Sequence, residues 1–188
     1  MKSAREEWAV WMQDLDLGHL GFLDETWAIT DMTRRYGRAE RGERVIDRAP
    51  QSHWMTLTLL AAVRVDGMSE AIVTCGSMTG ELFLKYIQTV LIPNLRKGDI
   101  VIVDNSSCHK SDLVRKALEA VGCYAVYLPP YSPDFNLIEE VFSKLKSRLR
   151  KEKHRTVEEL NHFFKTALYD VPAQECRNFF ASCGYGVE

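Results

Sequence analysis

The sequence predicts an α/β fold, a five-stranded mixed sheet flanked by helices. Three observations carry that prediction. Two short apolar runs, Gly21-Phe22-Leu23 and Ile100-Val101-Ile102-Val103, each end in an aspartate, Asp24 and Asp104. Asp66-Gly67 sits between two apolar stretches and is hairpin turn chemistry. From residue 80 onward, segments with helical spacing alternate with short apolar runs. Apolar strands that end in Asp carry those carboxylates to one edge of a sheet, where open α/β folds bind ligands.

The elements follow in order. Residues 3–15 read as a helix with Trp8, Trp11, Met12 and Leu15 on one face, and Gly18 breaks it. Residues 20–25 form the first strand. The polar, arginine-rich stretch 30–47 contains Gly37 and Gly42 and reads as a long hairpin or loop. Strands at 54–65 and 69–77 pair across the Asp66-Gly67 turn. Leu82, Phe83, Tyr86 and Val90 give 80–95 helical spacing. The strand at 99–104 is apolar on both faces, as a central strand should be. A helix at 110–121, stopped by Gly122, leads to a fifth strand at 123–128. After Pro129-Pro130-Tyr131-Ser132-Pro133-Asp134 comes a helix at 137–151. Another begins at Thr156, an N-cap with Glu159 in the capping-box position, and runs to 171. A short helix at 173–181 ends the series. A right-handed crossover sets the fourth and fifth strands beside the first, so that Asp24 and Asp104 share an edge.

The chain of 188 residues is 46% hydrophobic, enough for one ordinary core. It reads as a single domain, 1–188, with an N-terminal helix in 1–17 and C-terminal helices in 156–188. Formal net charge is −2, yet basic residues cluster at Arg34, Arg35, Arg38, Arg41, Arg44 and Arg48 and again from Lys144 to Arg155. Two such patches fit a local phosphate-binding track; two solvated faces are the bland alternative. Five scattered cysteines form no C-x-x-C pair, and no apolar run approaches a membrane span. A reduced, cytoplasmic chain is the expectation.

Asp24, Asp104 and Glu139 are the candidate chemical set. Three carboxylates without a Cys/His cluster suit hard Mg²⁺, and metal-assisted attack on a phosphodiester is the implied chemistry. Each also has a plain reading. Asp24 could close a strand, Asp104 could cap the next helix, and Asn136 with Glu139 could form a capping box. Glu139 competes with Glu140. At about 100° per residue, Ile138, Val141, Phe142, Leu145 and Leu149 form the buried stripe, Glu139 lies on its flank, and Glu140 faces away with Lys144 as a surface partner. Lys146, Arg150 and Lys153 share the Glu139 flank. Glu25 should point to the opposite face of its strand and reads as structural. Tyr131 reads as packed in the proline turn.

The segments "FLDETW", "VIVDNSSCHKS" and "LPPYSPDFNLIEEVFSKLKSRLRK", with 34 residues between Asp104 and Glu139, resemble the blocks of bacterial insertion-sequence transposases of the Tc/mariner superfamily. Leu137 stands where that family often has Pro. The resemblance implies an RNase H-like DDE nuclease domain in which Asp24, Asp104 and Glu139 are catalytic and bind two Mg²⁺ ions, with Mn²⁺ as a substitute. It implies hydrolysis at transposon ends, then strand transfer into target DNA. Arg34, Arg35, Arg38, Lys146, Arg150 and Lys153 are then candidate DNA contacts. Asn105 and His109 are accessory positions beside the metals that could orient water or phosphate, a capping or core role being the plainer reading of His109. The implied partners are terminal inverted repeats and target DNA, with the protein a homodimer or larger on DNA. Only one short helix precedes Asp24, with no helix-turn-helix module, so a DNA-binding half encoded separately or joined by frameshifting is expected. Another RNase H-like nuclease of resolvase type and a silent DNA-binding remnant are the alternatives. An aspartyl-phosphate phosphatase is set aside, because it wants Asp two residues after the nucleophile and Thr26 stands there.

Overall fold

The computed structural model describes residues 2–34, 36–48, 54–69, 71–106 and 108–186. The helices are α1 (Lys2–Trp11), α2 (Gly80–Tyr86), α3 (Asp112–Glu119), α4 (Ile138–Glu152), α5 (Val157–Ala167) and α6 (Ala173–Ser182). The strands are β1 (Leu20–Ile29), β2 (Thr56–Arg64), β3 (Gly67–Met68), β4 (Ile72–Cys75), β5 (Ile100–Val103) and β6 (Tyr124–Tyr127). They form one mixed sheet in the order β3-β2-β1-β5-β6, with β4 also paired to β2. β1 is antiparallel to β2 and parallel to β5, and β5 is parallel to β6.

The sheet therefore has six strands among the described residues, where the sequence predicts five. The single strand expected at 69–77 is two pieces. β3 pairs Val63 with Met68, whereas β4 pairs Leu60 with Ile72 and Leu57 with Cys75. The register shifts by one residue between them, as a bulge requires. β1 also outruns its predicted end at 25, because β2 keeps pairing with it to Ile29 opposite Thr56.

The helix expected at 80–95 is α-helical only to Tyr86. A π-helical turn follows over Ile87–Leu91, then a 3-10 turn over Ile92–Asn94. Pro93 is the physical reason. It lacks an N–H, and its ring collides with the carbonyl four residues back, so the ladder must change pitch there. The capping box of α5 forms as expected, with the Thr156 and Glu159 side chains each bonding the other's backbone amide.

Two apolar layers sandwich the sheet. On one face, Phe22, Leu59 and Ile102 pack with Trp8 and Met12, with Ile138, Val141, Phe142 and Leu145 of α4, and with α5 and α6. On the other, Leu23, Leu60, Val101 and Val103 meet Phe83 of α2 and Val114 and Leu118 of α3. Alternation along β1 and β5 then decides the site. Asp24, two residues after Phe22, and Asp104, two after Ile102, point to the α4 face. Leu23 is level with Val103 in the parallel register, so the two aspartates follow side by side.

Candidate active site

Asp24, Asp104 and Glu139 line one cleft of about 440 Å³, together with Asn105, Ser106 and Asn136. Carboxylate oxygens of Asp24 and Asp104 and a ring nitrogen of His109 all lie within 4.8 Å of one another. Glu139 stands outside that tight group, on the first turn of α4, where its charge still acts on Asp24.

The plain readings of these residues are not realised. α3 begins at Asp112 and is capped by Ser111, so Asp104 caps no helix. Asp104 Oδ1 instead accepts from the Ser106 amide at 2.8 Å and bonds His109 Nδ1 at 2.5 Å. Nor does Asn136 cap α4. Leu137 occupies the N-cap position without a side-chain bond, and Asn136 Nδ2 donates to Asp24 Oδ2 at 2.7 Å. Glu139 is thus free of a capping box. Glu140 pairs differently from expectation. It accepts from the Ser182 hydroxyl at 2.8 Å, because the C-terminal end of α6 packs there, and Lys144 bonds Glu175.

Burial and like charge divide the two aspartates. Asp24 is 6% exposed. Burial first, and then the charge of Asp104, push its carboxyl up to about 7, against a hydrogen bond from the Glu25 amide. Burial also works against the Asp104 charge, but His109 and the Ser106 amide outweigh it and hold that carboxyl below its ordinary value. His109 is fully buried. Burial opposes its protonation, yet Asp104 and Glu25 on its two nitrogens raise it to about 10.

The donor set fits a hard divalent cation. The cleft offers carboxylate oxygens, and both His109 nitrogens are already engaged. Burial and the neighbouring Asp104 charge make a negative charge on Asp24 costly, a cost a bound cation would offset. Asn136 Oδ1 is buried with no hydrogen-bond partner among the described residues. Turned the other way, that amide would aim its oxygen at Asp24 Oδ2, which works only with a proton on Asp24.

The remaining predicted positions are placed as follows. Asn105 Nδ2 donates to the Leu128 carbonyl, tying the end of β5 to the end of β6 at the cleft wall. Lys146 is half-buried, its ammonium 5.1 Å from the centre of the exposed Trp27 ring, and it feels the charges of Glu139 and Asp24. Burial lowers its pKa. Lys153 instead makes two 2.9 Å bonds to Asp47 of the arginine-rich loop. Arg155 donates to the Thr30 and Met32 carbonyls at the loop's base. Arg34 and Arg38 line one hollow with Asp47, so the Lys153–Asp47 bond sets them beside the basic C-terminal end of α4. Arg35 lies outside the described residues. Arg150 is half-buried on the same helix.

Two features escape the sequence reading. Glu25 does point away from Asp24, as expected, but it is tied to the site through His109. Tyr131, expected to pack in the proline turn, is 84% exposed at the cleft with φ +56°. The left-handed backbone swings its ring out of the turn. A proline-dense segment is the available signal of unusual backbone; nothing in it specifies which residue goes left-handed.

Solved structures share this architecture. The chain superimposes on the Mos1 mariner paired-end complex with Mn at TM-score 0.79 and 16% identity, over 97% of this chain and 58% of that one. The Mos1 strand transfer complex gives TM-score 0.80 at 16% identity, over 97% and 57%. The catalytic domain of Mos1 mariner transposase gives 0.61 at 13%, over 100% and 93%. The fold is therefore the RNase H-like fold of that domain, and the chain spans less than three-fifths of the Mos1 chains in the two complexes. No curated protein matches the sequence. The model of one family, DDE superfamily endonuclease, matches residues 19–161, which contain all three cleft carboxylates, and to that family the chain belongs.

Proposed function

We propose that this chain is the catalytic part of a cut-and-paste DNA transposase. It hydrolyses phosphodiesters at transposon ends and then directs the freed 3′ hydroxyl at target DNA. The observation that carries the reading is the gathering of Asp24, Asp104 and Glu139 around one open cleft of a DDE endonuclease. Asp24, Asp104 and Glu139 would hold two Mg²⁺ ions, with Mn²⁺ as a substitute. Such ions lower the pKa of an attacking water or hydroxyl and stabilise the leaving oxygen. Asn136 orients Asp24 by its 2.7 Å hydrogen bond, and Asn105 fixes the cleft wall. Lys146 and Arg150 lie along α4 from Glu139 and offer cations to the DNA backbone; Arg34, Arg35 and Arg38 extend that offer. Cutting two ends calls for at least two copies on DNA, and a separate or frameshift-fused module would recognise the terminal repeats. The work would take place in the cytoplasm, at the nucleoid of a bacterial host.

The test is cleavage of labelled terminal-repeat DNA in Mg²⁺ or Mn²⁺ by the chain with its recognition module, beside Asp104→Asn. The expected outcome is metal-dependent scission that falls by about 10²–10³-fold in the variant, of the order lost when a major electrostatic stabiliser is removed. Equal cutting by both proteins would overturn the assignment.

A further inference from the structure

We propose that Glu25, on the far face of β1 from the cleft, is a positioning residue for the reaction: through His109 it fixes which oxygen of Asp104 faces the cleft, and so sets the affinity for divalent ions. This rests on the transposase reading of Asp104 as a metal ligand. Glu25 lies outside the cleft and is not in reach of that metal site. Successive side chains alternate along β1, so it leaves the sheet opposite to Asp24, and it does not line the cleft.

The geometry is a relay of three groups. Glu25 Oε2 is 2.7 Å from His109 Nε2, and His109 Nδ1 is 2.5 Å from Asp104 Oδ1. The planar ring thus bridges the two carboxyl groups as a rigid strut. The strut is itself held. The Phe83 ring lies 4.3 Å from the imidazole, and the Tyr127 hydroxyl donates to the His109 carbonyl at 3.2 Å. Asp104 Oδ1 thus takes two bonds, from the ring and from the Ser106 amide at 2.8 Å. Among the described residues no hydrogen bond goes to Oδ2, which is left to the cleft. Without Glu25 the imidazole loses its far anchor and can tilt, and Asp104 can then rotate about its Cα–Cβ bond. Outer-shell partners of this kind commonly govern metal affinity by about 10–100-fold.

The test is Mn²⁺ binding to the full chain, read from the electron paramagnetic resonance of the free ion, alongside metal-dependent cleavage. Glu25→Ala and His109→Ala should each raise the Mn²⁺ Kd about tenfold and move the metal requirement for cleavage with it. The double variant should be no weaker than His109→Ala alone, because Glu25 acts through the ring. An unchanged Kd in Glu25→Ala, or effects that multiply in the double variant, would overturn the proposal. Glu25→Gln keeps the shape and one acceptor. It should shift Kd the same way by a smaller factor, and it keeps the question open to measurement should the alanine variant not fold; no shift in it overturns the proposal as well. Asp104→Asn separates the two readings. If it abolishes binding while Glu25→Ala leaves Kd unchanged, only the relay fails. If it too leaves Kd unchanged, the metal-site reading falls first.

Discussion

At the scale of single residues, Asp24 shows how a functional group opposes the fold that holds it. Its carboxyl is pushed up to about 7 by burial and by the Asp104 charge. A carboxyl raised above its unfolded value of 3.8 contributes stability that is complete at low pH and is lost as pH climbs through 7. A shift of that size corresponds to roughly 4 kcal/mol withdrawn from the metal-free protein between about pH 4 and 8. Asp24→Asn should therefore melt higher than wild type at pH 8 in chelator and show a flatter dependence of Tm on pH, while losing metal-dependent cleavage. Mg²⁺ at pH 8 should raise the Tm of wild type and leave the variant unmoved. Parallel pH profiles for the two proteins in chelator would contradict this account of Asp24. Its position was legible in the sequence because an apolar run ending in Asp fixes strand, edge and face together. The His109–Glu25 bond was not, because the two residues are 84 positions apart in the chain and no local period couples them.

At the scale of elements, what could be read depended on whether local chemistry or pairing decides. The capping box of α5 and the apolar stripe of α4 are local, and both stand where the sequence puts them. Thr156→Ala removes the cap and should cost about 1 kcal/mol in chemical denaturation. Phe142, fully buried beneath α4 against the sheet, should cost about 3–5 kcal/mol as Phe142→Ala, in the same measurement. A smaller loss at 142 than at 156 would mean that the core, and not the cap, tolerates change here. The break between β3 and β4 is a different matter. It arises from a one-residue offset against β2, a property of two strands that neither run of sequence displays alone. The π-turn lies between these cases. Pro93 announces a disruption, but the pitch the chain adopts depends on Phe83, Tyr86, Ile87 and Leu91 remaining packed on the sheet.

At the scale of the whole molecule, a net charge of −2 conceals a basic end assembled from two distant segments. Helical spacing places Lys146, Arg150 and Lys153 on one flank, and on spacing alone the three are equivalent. The structure separates them. Lys153 is neutralised by Asp47, whereas Lys146 is held beside the cleft over Trp27. A lysine that contacts phosphate releases a counterion when DNA binds; one already paired with a carboxylate exchanges one anion for another and contributes little. DNA affinity of the chain, measured from 50 to 300 mM salt, should therefore discriminate among them. Lys146→Ala and Arg150→Ala should each lower the slope of log K against log salt by about 1, weakening binding to all sequences alike. Lys153→Ala should leave the slope nearly unchanged, and Asp47→Ala should steepen it by freeing the Lys153 ammonium. A full unit lost in Lys153→Ala would show that DNA displaces Asp47, and the tie between the arginine-rich loop and α4 would then be a contact that opens when the substrate arrives.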